Sequence, residues 1–143
     1  MKSIFVILAL TFFLCDCRDK DPEPLPAIKE IFGTWRLEAY GRTINGEIKW
    51  ESVSSTDQPY LITFRHDGVV LNDKGLPVCC APKSYTLNGV LFEIIPKEKV
   101  ESNPQCAFVD CITSKWNIEQ NEDQLILTLS DVVAVSKSKY VRQ

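Results

Sequence analysis

The chain has 143 residues, 24% of them charged and 45% hydrophobic, with a formal net charge of −3 at neutral pH. That length suits one domain around one core and is short for two. Charges of both signs are interspersed, so no basic face marks out a nucleic-acid partner, and none is expected. At the N-terminus Lys2 precedes an apolar run from Ile4 to Leu14. Such a run matches the apolar region of a secretory signal and falls well short of the ~20 residues that span a bilayer.

The run ends in Leu14-Cys15-Asp16-Cys17, after which charge and proline take over. A short apolar segment closing on Leu-x-x-Cys resembles the lipobox of bacterial lipoproteins. The resemblance implies that residues 1–16 are a signal peptide removed on export and that Cys17 is acylated, which would fix the protein to the cell envelope, most simply the outer membrane. Cys15 is the alternative anchor, but Phe12 stands where the lipobox has leucine. Cysteine parity also favours Cys17, because Cys79, Cys80, Cys106 and Cys111 then remain as an even set in an exported protein. Residues 17–26 read as anchor plus tether, since Arg18 to Pro26 is charged and stiffened by three prolines. Nine such residues at ~3.1 Å each would hold the domain roughly 28 Å from the membrane.

The domain proper is expected over 27–143. Ala27 to Phe32 can make one helical turn before Gly33 stops it. Beyond it the apolar residues alternate with period two, predicting strands over Thr34–Thr43, Glu47–Val53, Tyr60–Arg65, Val69–Asn72, Lys83–Leu87, Val90–Ile95, Phe108–Glu119, Gln124–Ser130 and Val132–Val141. Asn45-Gly46 and Asn88-Gly89 signal two-residue hairpins, and His66-Asp67-Gly68 and Asn121-Glu122-Asp123 weaker ones. Strands joined by tight turns predict an all-β, up-and-down antiparallel barrel of about eight strands, which removes both sheet edges; a β-sandwich is the alternative.

Gly33-Thr34-Trp35, following a helical turn and opening the first strand, resembles the Gly-x-Trp signature of lipocalins. The order that follows is similar as well: TWRLEAY, the YLITFRHDGVV hairpin, YTLNGVLFEI, WNIEQNEDQLILTL and a terminal KYVRQ. The chain from about Ile31 onward thus resembles the lipocalin-like domain of small bacterial lipoproteins. This implies that Trp35 closes one end of the barrel and that Arg142 covers it, both in structural roles. It also implies an interior that binds a small apolar or amphipathic molecule, walled by the inward set Leu37, Tyr60, Ile62, Phe64, Phe92, Ile94, Trp116, Ile118, Leu125 and Leu127. The same residues would equally make a filled core, leaving an interaction lipoprotein that works through its loops.

Four cysteines in an exported chain predict two disulfides, with Cys79 and Cys80 each reaching one of Cys106 and Cys111 and both pairings open. Their spacing does not suit a zinc site, and no metal or cofactor is expected. His66 stands beside Asp67 in a turn where solvated side chains are usual, and no nucleophile belongs with the pair. A non-catalytic protein, monomeric and lipid-anchored, is the expectation.

Overall fold

A computed structural model describes residues 22–54, 59–112, 114–131 and 135–143. The signal segment, Cys15, Cys17 and the first three residues of the last predicted strand lie outside them.

The described fold is all-β. A 3-10 turn, Pro26–Ile28, leads into β1 (Gly33–Ile44), followed by β2 (Glu47–Ser52), β3 (Leu61–Phe64), β4 (Val70–Asn72), β5 (Ser84–Leu87), β6 (Val90–Glu93), β7 (Lys115–Asn121), β8 (Gln124–Ser130) and β9 (Val135–Arg142). All nine belong to one sheet, which curls in the order β4-β3-β1-β9-β8-β7-β5-β6, with β2 paired to the second half of β1. The Asn-Gly hairpins form because Asn45 and Asn88 accept positive φ, 54° and 47°, ahead of their glycines. In β1, Trp35, Leu37 and Ala39 are buried while from Tyr40 onward all but Gly41 are exposed, so the long strand has a core half and an open half.

Three expectations are corrected. The sheet is not a closed barrel, because β4 and β6 end it as two edges. It is not purely up-and-down, because β5 and β7 pair in parallel, Tyr85 against Trp116 and Leu87 against Ile118. A parallel pair needs a long crossover, which the segment between β6 and β7 supplies. That segment also takes residues from the predicted seventh strand: Pro104–Phe108 winds into a 3-10 turn capped by the Asn103 side chain, which accepts from Gln105 N at 3.1 Å, so β7 begins only at Lys115. The sandwich alternative fails because there is a single sheet.

Side chains and loops cross the gap between the two edges. Asn72 N donates to Leu76 O and Val78 N to Val70 O, continuing β4 into a short return. From that return two disulfides, Cys79–Cys106 and Cys80–Cys111, reach the crossover, over sequence separations of 27 and 31. Loops of that length contribute roughly 3–4 kcal/mol each in the chain-entropy account. Asn103 Nδ2 donates to Pro77 O at 2.9 Å, Tyr85 Oη to Gly68 O at 3.5 Å, and Lys97 N to Asp67 Oδ2 at 2.7 Å. Gly68, at φ 87°, lets the β3–β4 turn come this close: a Cβ there would lie 2.3 Å from the Phe92 ring.

Leu25 N donates to His66 O at 3.0 Å, and the Leu25 side chain packs against the core, so the chain joins the domain before Pro26. The same contact helps to bury His66, at 9% exposure, in a turn where solvated side chains are the rule.

Asp67 is fully buried beside it and takes both Arg65 Nε at 2.8 Å and Arg65 Nη2 at 2.6 Å. Burial alone would raise its pKa, but the Arg65 guanidinium and the Lys97 and Val69 amides outweigh that and hold it at about 2, down from 3.8. A carboxylate with a depressed folded-state pKa stabilises fully above its unfolded value and loses that contribution as pH falls through the folded one. Replacing Asp67 with Asn should therefore lower stability at pH 7 by roughly 2–4 kcal/mol. Urea unfolding across a pH series should also show the fall in stability between pH 4 and 2 becoming shallower in the variant.

Candidate functional site

The inward faces of the curled sheet meet in one cluster. Leu37, Ile62, Phe64, Trp116, Ile118, Leu125 and Leu127 all belong to it, none more than 9% exposed, and Phe92 and Ile94 pack against it half-buried. Tyr60 does not join them. It precedes β3 rather than lying in it, and it is 53% exposed. Sequence reading passed over Ile28, Ile31, Val70, Tyr85, Leu87 and Tyr140, which complete the cluster. The signal for Tyr85 and Leu87 was the Ser-Tyr-Thr-Leu alternation of β5; for Tyr140 it was pairing with Leu37, which no local pattern shows. Burial pushes the Tyr140 hydroxyl well above the usual phenol range, with Tyr60 and Tyr40 nearby adding to the effect. Side chains from both halves of the sheet therefore fill the space that a ligand would need.

One end of this core is capped. Trp35, fully buried, donates from Nε1 to Ile31 O at 2.7 Å. The Arg142 guanidinium lies over its ring, 4.3 Å from the centroid. From there Arg142 Nη1 donates to Phe32 O at 3.0 Å and Nη2 to Glu30 O at 2.5 Å, while Asp123 Oδ1 is 3.5 Å from Nε. One side chain thus ties the turn before β1 to the end of β9, and Gly33 (φ 108°) makes the bend between them.

Among the described residues, two grooves border the core. The smaller, about 520 Å³, lies where Pro22 and Pro24 pass Phe32, Arg65 and His66. The larger, about 640 Å³, runs beside the starts of β5 and β7 under the disulfide-held crossover, and is lined by the Cys80–Cys111 bridge, Tyr85, Leu91, Ile112 and Trp116 together with polar neighbours. Leu91 and Ile112 are 72% and 67% exposed, unusual for large aliphatic side chains placed together. The sequence reading offered the loop that carries Cys80, Ala81, Pro82 and Lys83 only as an interaction surface; the groove itself depends on the parallel pairing and on the disulfide connectivity. His66 Nε2 stands 3.7 Å from Glu98 Oε1 and away from this groove's lining. Among the described residues no group of three or more His, Cys, Asp or Glu side chains is placed to hold a metal ion.

Comparison of the chain with protein-family models, curated proteins and solved structures finds no match.

Truncating Arg142 to Ala should cost roughly 1–2 kcal/mol in urea unfolding, the scale of a partly desolvated cation–π contact. Arg142→Lys should recover little of it, since one ammonium cannot cover the ring and reach two carbonyls in a fixed fork.

Proposed function

We propose that this is a lipid-anchored, non-catalytic binding protein of the bacterial cell envelope. A lipocalin-like domain, tethered through an acylated Cys17 to the outer membrane, holds a small apolar or amphipathic molecule. The stacking of Arg142 on Trp35 behind Gly33 supports the lipocalin likeness. The half-barrel is then an opened variant of the closed one, with crossing loops where the last ladder would be. The binding reading is carried by the groove of about 640 Å³, whose volume lies within the ~300–1,000 Å³ of small-molecule sites and whose aliphatic walls are exposed when empty. With the sheet interior packed, the groove rather than the barrel cavity takes the ligand.

A second reading draws on the same loops. Phe108 is 92% exposed on the disulfide-held crossover, close in sequence to exposed Val109 and Ile112, which suits an interaction protein with a filled interior.

Native mass spectrometry separates the two. The chain from Arg18, exported behind a cleavable leader and incubated with a lipid extract, should carry an added mass that Leu91→Ser/Ile112→Ser abolishes. A bare mass throughout would favour the interaction protein. The anchor is checked separately: cells fed an alkyne-bearing fatty acid should label the full-length protein, Cys17→Ala should lose the label, and Cys15→Ala should keep it.

A further inference from the structure

The sequence disperses its charges, but the fold gathers two lysines beside a tryptophan on the outer face of β2, β1 and β9. Lys137 and Lys139 stand opposite Thr128 and Ile126 of β8, whose neighbours Leu125 and Leu127 point into the core, so both lysines face outward. The irregularity between Leu37 and Ala39 shifts the phase of β1 and sets Gly41 opposite Lys137. Gly41 is in turn opposite Trp50. A Cβ at Gly41 would lie 3.2 Å from the Trp50 ring, 3.1 Å from Ile48 and 3.0 Å from Lys137, so these side chains share one face. Lys139 Nζ completes the group, 4.8 Å from the centre of the Trp50 ring. Exposed Val135, two residues before Lys137 on β9, lies on the same side.

The acids of the β1–β2 hairpin are elsewhere. Alternation turns Glu47, Lys49 and Glu51 to the other face of β2, where Glu51 pairs with Arg42 at 3.7 Å. Among the described residues neither Lys137 nor Lys139 forms an ion pair. The acids at the margin are Glu38, carried by the irregularity in β1, and Glu119, which Ile126 separates from Lys139. A soluble anion would engage the lysines and leave Ile48 and Val135 in water. A neutral apolar partner would cover those two and bury the ammonium groups unpaired. A bilayer with anionic headgroups meets both demands: tryptophan suits the headgroup level, and lysine stems lie along apolar surface while their ammonium groups reach phosphates.

We infer that the outer face around Trp50 docks on an anionic phospholipid surface, with Trp50, Ile48 and Val135 at the boundary between headgroups and acyl chains and Lys137 and Lys139 on the phosphates. The inference goes beyond the proposed function. Neither the groove nor the acylated cysteine enters it, and its failure would leave both standing.

Vesicle flotation tests it with the chain from Arg18, which keeps every described residue and lacks Cys17. Phosphatidylcholine vesicles that contain phosphatidylglycerol should bind this chain about ten-fold or more tighter than phosphatidylcholine alone, and raised salt should remove the difference. Lys137→Glu/Lys139→Glu should weaken that binding about ten-fold. Lys74→Glu/Lys99→Glu, the same change of charge in exposed loops, should leave it nearly unchanged. A second readout needs no charge reversal. Lipids brominated along their acyl chains should quench tryptophan emission in the bound chain and fail to do so in Trp50→Phe, because Trp35 and Trp116 are buried. Absence of binding, equal binding to the two kinds of vesicle, equal loss with the two lysine pairs, or quenching that survives Trp50→Phe would each overturn the inference.

Discussion

A curled sheet that does not close must cross its own gap by other means, and here the crossing centres on one buried carboxylate. Asp67 is cut off from water, held by its Arg65 neighbour, and accepts the amide of Lys97 from the far side of the opening. An unpaired charge there would be prohibitively costly. The arrangement is therefore kept only while the turn after β3 and the loop after β6 stay in contact. Around it, Tyr85 reaches Gly68, its ring meets Phe64 edge-on at 6.0 Å, and the two disulfides fix the remaining length. The gap is closed by point contacts where a ladder would otherwise run, so its width is set by loop length rather than by strand register.

Some of this was legible in the sequence and some was not, for physical reasons. Asn45-Gly46 and Asn88-Gly89 specify their hairpins locally, because few residue pairs accept that backbone. Period-two alternation found β3, β5 and β8 because each buries one face, and β6 because Phe92 turns inward although Val90 on the same side is exposed. The parallel pairing of β5 with β7 was hidden, since a crossover without helical periodicity leaves no local signature, and the apolar residues of 108–112 imitate a strand while remaining exposed in a loop. His66 and Asp67 sit in a turn where polarity normally means solvent. Leu25 and Lys97, both remote in sequence, bond to them, so composition alone points the wrong way.

The candidate site follows the same division. The inward set was largely recognisable, yet recognising it could not distinguish a lined cavity from a filled one; the answer depends also on Tyr85 and Tyr140, two further buried aromatic side chains in the same cluster. The loop of Cys80 to Lys83 was recognised as a candidate surface, but the groove it lines is shaped by the parallel pairing and the disulfide connectivity, which leave no local signature. The crossover that forces β7 parallel to β5 also carries Cys106, Cys111 and Ile112. One segment thus holds the gap closed, through its bridges to Cys79 and Cys80, and supplies a wall of the groove. Fold stability and the shape of the groove are for that reason coupled through the same two disulfides.

The capped end of the core has a different relation to function. The chain enters beside it, Leu25 bonding to His66, and the Arg142 clamp joins that entry to the last strand. The exposed second half of β1 leads away from this end, beyond the Trp35 that Arg142 covers. A clamp at the entry of the chain is coupled to most of the sheet, because β1 pairs with β2, β3 and β9.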